Sequence, residues 1–212
     1  MRDRVLEPID RVSEILFGVI MALTFTLTLG VATAGEGAVR TMLFGALGCN
    51  LAWGIIDGCI FLVARVNERG AGLRVIRTIR RAEPAAAHRM IAESLPEVVL
   101  SLLPPDELEA MRLKLKAMPE PAAGPKLTKQ DGLAAVAICL LSFLSTFPIV
   151  IPFIFIDDAR LALRVSNAVA IGMLFLCGYT LGRYSGIWPW AAGVAMVAFG
   201  AALVGVAILL GG

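Results

Sequence analysis

Residues 41–64 read TMLFGALGCNLAWGIIDGCIFLVA, a run of 24 residues in which Asp57 carries the single charge. A helix rises 1.5 Å per residue, so this run spans the roughly 30 Å hydrocarbon core of a bilayer with some tilt. Asp57 would then lie well inside the membrane, where an ionised carboxylate costs at least about 2.5 kcal/mol unless water, a cation or a proton satisfies it. We therefore predict an ion or proton site at Asp57. The alternative is a structural carboxyl bonded to a neighbouring helix.

The residues around Asp57 predict one special face on this helix. Asn50, Gly54 and Asp57 follow i, i+4, i+7 spacing, which places them on the same side. Gly54 and Gly58 form a G-x-x-x-G pair, a pattern that lets another backbone approach closely. The face therefore combines two polar side chains with a notch for helix packing.

Composition indicates a membrane protein and disfavours several other classes. The chain has 212 residues, 58% of them hydrophobic, with a mean hydropathy of +0.81; soluble domains are usually about 45–50% apolar. The four cysteines lack C-x-x-C spacing, so we expect small buried side chains, in preference to a metal cluster or a disulfide framework. The chain has no G-K-[ST] phosphate loop and no catalytic constellation. We therefore expect neither an enzyme nor a resident cofactor, and no nucleic-acid partner.

Five apolar stretches predict an all-α polytopic membrane protein with five transmembrane helices and one helical cytoplasmic insertion. The spans lie near residues 14–34, 41–64, 132–156, 161–181 and 190–210. The corresponding parts are a cytoplasmic N-terminus (1–13), helices one and two (14–64), a cytoplasmic helical domain (65–130) and helices three to five (131–212). Ala32-Thr33-Ala34 is similar to a signal-peptidase site, but the apolar run before it is too long for a leader, so we expect an uncleaved first span.

Other residues of the spans are candidates for a pathway or for packing. Glu14, Met21 and Thr28 recur every seven residues, so they share a face of the first span, with Thr24 close by. For Met and Thr taken singly, the alternative is that Met fills space and Thr bonds to its own helix at the i−4 carbonyl. In the third span, Pro148 and Pro152 are expected to kink the helix. In the fourth span, Gly178 and Gly182 form a second G-x-x-x-G pair, which predicts close helix packing.

The polar segment 65–130 predicts three helices. Its first part, GLRVIRTIRRAE, is basic and amphipathic, and it either lies on an anionic lipid surface or continues the second span as a solvated helix. Helices near residues 85–95 and 106–118 follow, and PEPAAGPK then reads as a linker. Of the 19 Lys and Arg residues, 16 fall on the side shared by the N-terminus and this segment. The positive-inside rule therefore predicts a cytoplasmic N-terminus and an outside C-terminus.

Four segments of the spans carry a family resemblance: GVIMALTFTLTLG (18–30), GCNLAWGIIDG (48–58), LSFLSTFPIVIPF (141–153) and NAVAIGMLFLCGYTLGRYSG (167–186). They resemble patterns of the vacuolar iron transporter family, and the resemblance extends over all five spans. The third and fourth spans match best. The resemblance implies a homodimer that moves Fe²⁺ or Mn²⁺ out of the cytoplasm in exchange for protons, in contact with membrane lipid.

The chain departs from the family at the residues that carry the chemistry. The family has Asp at Met21, Glu at Asn50 and Met at Gly58, next to which this chain has Asp57. The resemblance thus implies metal ligands at Asp57, Asn50 and Met21. Arginine replaces the acids of the family's cytoplasmic domain, so we expect this domain to bind divalent metals weakly. We predict gradient-driven transport of divalent transition metals, with a non-transporting membrane scaffold or regulator as the alternative.

Overall fold

The computed structural model describes Leu6 and residues 8–28, 36–119 and 124–209. Within these residues the chain is helical and has no strands, which confirms the all-α prediction. The chain divides into two compact units, one formed by residues up to Phe61 together with those from Lys129 onward, and one formed by Leu62–Thr128. The described helices are α1 Pro8–Thr28, α2 Glu36–Arg81, α3 Pro84–Glu93, α4 Glu97–Leu102, α5 Pro105–Ala117, α6 Lys129–Leu144, α7 Phe147–Val150, α8 Pro152–Phe155, α9 Ala159–Ser185 and α10 Pro189–Leu209.

Three helical segments of the described chain are long and apolar enough to cross a membrane, and a shorter apolar helix covers Pro189–Leu203. The three are Leu43–Arg81, Lys129–Phe155 and Ala159–Ser185. The count of five spans and the cytoplasmic position of the insertion remain predictions. Residues 29–35, which include the signal-peptidase-like Ala32-Thr33-Ala34, lie outside the described residues.

Helix α2 runs without interruption for 46 residues. The second predicted span and the basic amphipathic segment therefore belong to one helix, as the continuation alternative expects, and the contact of this segment with lipid or water stays a prediction. No proline or left-handed residue interrupts α2 between its first and last residues.

Proline divides the third predicted span into α6, α7 and α8, as the kink prediction requires. Pro148 and Pro152 stand at the starts of α7 and α8, where a residue without an N–H costs no helical hydrogen bond. The chain between α6 and α7 is a turn at Ser145 and Thr146, and the Thr146 carbonyl accepts from the N–H groups of both Ile149 and Val150. The break thus places two hydroxyl residues inside the first unit.

Helix α9 begins and ends with local signals. The carboxylate of Asp158 accepts from the N–H groups of Arg160 and Leu161 at 2.8 and 3.2 Å, which caps the helix N-terminus. At the other end Gly186 has a φ of 73°, a left-handed conformation that glycine adopts without steric cost. The turn that follows leads into α10.

Close glycine contacts join helices inside the first unit. A Cβ at Gly54 would lie 2.9 Å from the Cys139 carbonyl oxygen, and one at Gly58 would lie 2.9 Å from that of Ala135, so α2 meets the α6 backbone there. Gly178 and Gly182 meet α10 in the same way, against Ala192, Met196 and Pro189. An apolar core of α1, α7 and α9 completes the packing, with the buried residues Val19, Ala22, Leu23, Ile149, Ala170 and Leu174.

The second unit is a small helical cluster built on the last turns of α2. Ile79, Ala87 and Ile91 form its buried apolar centre, against which residues of α5 pack. The predicted second and third helices correspond to α3 and α5, and part of the predicted linker, residues 120–123, lies outside the described chain. Sequence analysis missed α4, a six-residue helix between two prolines that is too short to show a period.

Candidate functional site

Asn50 joins three helical segments in the interior of the first unit. Its side chain is 1% exposed, and its Nδ2 donates to the Gly18 carbonyl of α1 at 3.0 Å and also to Thr146 Oγ1 at the α6–α7 break. Both amide hydrogens are therefore used. Asn50 Oδ1, also buried, has no hydrogen-bond partner among the described residues. An unpaired buried oxygen of this kind costs about 1–3 kcal/mol, so it is a natural place for a water molecule or a ligand.

Two serines of α6 and the turn after it extend this arrangement. Ser145 Oγ donates to the Ser142 carbonyl at 2.8 Å, and Ser142 Oγ is fully buried with no partner in the described chain. Gly18 packs directly on them, because a Cβ there would overlap Ser145 Oγ and lie 2.5 Å from the Ser142 carbonyl oxygen. We call Asn50, Ser142, Ser145 and Thr146 the polar cluster. Sequence analysis did not single out its three hydroxyl residues, although the i, i+4 spacing of Ser142 and Thr146 was a usable signal.

Asp57 lies two turns beyond Asn50 on α2 and is half-buried. Its neighbours Gly54 and Gly58 are occupied by the α6 backbone, so the predicted notch accommodates a helix of the same chain. Glu14 of α1 lies one turn before Gly18, whose carbonyl accepts from Asn50, and Phe17 meets Trp53 edge-on with ring centroids 5.9 Å apart. These contacts place Glu14 and Asp57 on the same side of the hydrogen bond between Asn50 and Gly18.

The remaining predicted pathway residues are distributed along α1. Met21 is half-buried, one turn beyond Gly18. Thr24 Oγ1 donates to the Ile20 carbonyl at 2.9 Å, the local bond that the alternative interpretation of this threonine expects. Thr28 ends the helix, and its side chain lies outside the described part of the structure.

The described residues contain no group of three His, Cys, Asp or Glu side chains close enough to share a metal ion. The four cysteines are free thiols. Any ion held near Asp57 would therefore rely on one or two carboxylates together with neutral oxygen or sulfur atoms, as in weak transient sites.

The second unit contains a group of charged and hydrogen-bonded side chains between α3 and α5. Glu109 accepts from His88 Nε2 at 2.7 Å and from Arg112 Nε and Nη2 at 2.7 and 2.6 Å. The hydrogen bonds from Arg112 and then from His88 lower the pKa of Glu109 from 4.5 to about 2, and the pKa of Arg112 is raised by the same carboxylate. Glu93 and Glu97, two further acids of this unit, are exposed.

Comparison with known proteins identifies the chain. A model of the VIT family matches residues 77–212, which include the end of α2 and every later helix. The matched part contains the three hydroxyl residues of the polar cluster, whereas Glu14, Asn50 and Asp57 precede it. A comparison with curated proteins finds no match. Because the family model covers well over half of the chain, this integral membrane protein belongs to the VIT family, whose general function is metal-ion transport.

Proposed function

We propose that the protein moves divalent transition-metal ions of the Fe²⁺ or Mn²⁺ type out of the cytoplasm, driven by exchange with protons. Family membership supports metal-ion transport in general. The choice of metals, the direction and the proton exchange come from the resemblance of the spans described above. The absence of a G-K-[ST] loop from the sequence favours a gradient over ATP as the energy source.

The observation that carries the proposal is the placement of two acids, Glu14 of α1 and Asp57 of α2, on the same side of the hydrogen bond that Asn50 donates to Gly18. Two carboxylates near each other in a bilayer repel unless a proton or a cation lies between them. When both carboxylates have lost their protons, their oxygens attract a divalent cation. When protons return, the attraction falls and the cation leaves. The same pair can therefore bind a metal ion and protons in turn, which is the chemical requirement for exchange.

We propose Asn50 and Met21 as neutral partners of these acids and Thr24 and Thr28 as weaker contributors. Asn50 presents a buried oxygen without a partner in the described chain, which supports its assignment. Met21 offers a thioether, a soft ligand that favours transition metals over Mg²⁺ and Ca²⁺.

The proposed arrangement has five spans. The N-terminal residues 1–13 and the helical domain 65–130 lie in the cytoplasm, residues 14–64 and 131–212 form the membrane part, and the C-terminus lies outside. The distribution of Lys and Arg supports this orientation. We propose a homodimer because the resemblance implies one.

A second candidate function is a membrane scaffold or regulator that does not transport. One observation favours it: Asn50 stands where the family has an acid, and both of its amide hydrogens hold helices together. In this alternative the hydrogen bonds of the polar cluster serve only to hold the helices together. Asp57 would then be a structural carboxyl.

Flux into proteoliposomes separates the two functions. Liposomes with an imposed pH gradient are exposed to Fe²⁺ or Mn²⁺ with wild-type protein, Asp57→Asn or Glu14→Gln. Each variant keeps the shape of the side chain and removes its charge. We expect metal flux to fall at least about tenfold in both, equivalent to about 1.4 kcal/mol of lost interaction. Glu68→Gln is the matched control, because this exposed acid on α2 pairs with Arg65 in the second unit.

Thermal unfolding of the same variants completes the test. Transport by the two carboxylates predicts lost flux with little change in stability. Normal flux through Asp57→Asn would refute the mechanism. Absence of flux from the wild-type protein with every metal, at normal stability, would instead support the scaffold.

A further inference from the structure

A cavity beside the end of α9 is lined by two aromatic rings, a hydroxyl and a cation. Its volume is about 340 Å³, and its lining residues are Tyr179, Thr180, Arg183 and Tyr184. The cavity belongs to the first unit, and its lining residues follow Leu174 of the apolar core along α9 by about one and a half to three helical turns. It is separate in sequence from the polar cluster and from the two acids.

One wall of the cavity is held rigidly in place. The Tyr179 ring stacks on Phe175 with ring centroids 6.3 Å apart, and it meets Trp190 of α10 edge-on at 5.6 Å. Phe175 is fixed in turn by Gly193, where a Cβ would lie 2.6 Å from the ring. Aromatic contacts of this kind stabilise a fixed geometry. The site therefore exists before any ligand binds.

Arg183 has no anionic partner among the residues that the structure describes. The structure shows neither a hydrogen bond nor an ion pair for it within the described residues. The whole sequence from Ala159 to the last residue contains no Asp or Glu. A guanidinium is always charged and binds phosphate with two parallel hydrogen bonds, so it is suited to an external phosphate.

The position of Arg183 along α9 indicates where that phosphate would come from. Arg164 and Arg183 are 19 residues apart with no charge between them, a helical rise of about 28 Å, close to the thickness of the hydrocarbon core. In a helix that crosses a membrane, Arg183 therefore lies at the level of the lipid headgroups. Trp188, 73% exposed, and Trp190, 59% exposed, follow Arg183 by five and seven residues and are of the aromatic type enriched at a membrane interface.

We propose that this cavity binds the phosphate of a glycerophospholipid headgroup. Arg183 donates to the phosphate oxygens, and the hydroxyl of Tyr184 supplies a further donor. Ile187 and Trp188 are exposed apolar residues three and four positions after Tyr184 in the chain, and we assign them to the acyl chains. These apolar side chains would favour a lipid over free phosphate, because free phosphate has no acyl chains to contact them.

The test uses the full chain in detergent, depleted of lipid, and three probes. Dioctanoyl-phosphatidylglycerol carries phosphate and chains, dioctanoylglycerol carries chains alone, and inorganic phosphate carries neither chain nor glycerol. Thermal unfolding and native mass spectrometry report binding. We expect phosphatidylglycerol to raise the unfolding temperature and to persist as a mass adduct at concentrations at which the other two do neither.

Variants locate the site. Arg183→Gln is expected to weaken phosphatidylglycerol binding at least about tenfold, as for the loss of one charged hydrogen bond. Arg183→Lys keeps the charge but loses the paired donors, so its affinity for phosphatidylglycerol is expected to lie between those of the wild type and Arg183→Gln. Arg164→Gln, an exposed arginine at the other end of the same helix, is the matched control and should bind as the wild type does.

Three results would overturn the proposal. Equal effects of phosphatidylglycerol and dioctanoylglycerol would show that the phosphate is not recognised. Equal effects of phosphatidylglycerol and inorganic phosphate would show an anion site without lipid. Equal weakening by Arg183→Gln and Arg164→Gln would show diffuse attraction without a site. None of these results bears on metal flux, which the Asp57 and Glu14 variants test separately.

Discussion

Substituting Gly54 by Ala tests whether α2 and α6 pack as closely as the structure shows. The added Cβ would lie 2.9 Å from the Cys139 carbonyl oxygen and 3.1 Å from its Cα. Ordinary contact begins near 3.4 Å, so the overlap with a backbone atom is about 0.5 Å. A backbone atom cannot rotate away, so the two helices must separate. Overpacking of this kind costs about 1–3 kcal/mol.

A matched control stands on the same helix. A Cβ at Gly48 would meet nothing within 4 Å, so Gly48→Ala adds a methyl group in open space. Both variants gain the same helix propensity, about 0.5–1 kcal/mol, which cancels in the comparison. We therefore expect Gly54→Ala to be less stable than Gly48→Ala by about 1–3 kcal/mol. Gly54→Leu should have a lower free energy of unfolding than either alanine variant, because its side chain is larger.

The measurement is unfolding of the detergent-solubilised protein by sodium dodecyl sulfate, followed by far-ultraviolet circular dichroism. Each variant is compared at several denaturant fractions, and the free energy of unfolding is extrapolated in the same way for both. Equal stability of Gly54→Ala and Gly48→Ala would refute the close approach of α2 to α6 at this position. It would also argue against the helix packing that brings Asn50 to Thr146.

Two further predictions concern the polar contacts. Thr146→Val leaves one Asn50 hydrogen without its acceptor and should lower the free energy of unfolding by about 1–2 kcal/mol, more than Thr24→Val. Because hydrogen bonds depress the pKa of Glu109 to about 2 from 4.5, its stabilisation of the second unit is complete above pH 4.5 and declines as the pH falls towards 2. Hydrogen exchange of α3 and α5 in the full chain, corrected for intrinsic rates, should show this decline in the wild type but not in Glu109→Gln.

Sequence by itself determined the features that depend on neighbouring residues. Apolar runs of membrane length predicted helices, because a bilayer leaves backbone groups no partner outside their own helix. Asp158 and Gly186 mark the ends of α9 through bonds and torsions that involve a few residues on either side. Pro148 and Pro152 broke the third span for an equally local reason, the missing N–H of proline. The unusual position of Asp57 was also evident, since one charge in an apolar run needs no structure to be noticed.

Tertiary structure alone decided which side chains meet. Asn50 bonds to a threonine 96 residues away, and His88 to a glutamate 21 residues away, and no periodicity relates such positions. The placement of Glu14 and Asp57 on the same side of the Asn50–Gly18 hydrogen bond follows from the packing of α1 beside α2. Packing also decided what occupies the glycine notch at Gly54, because a G-x-x-x-G pair accepts any backbone that fits, and here α6 of the same chain fits. Local chemistry thus fixed the helices and their ends, and the burial of side chains between helices fixed the partners.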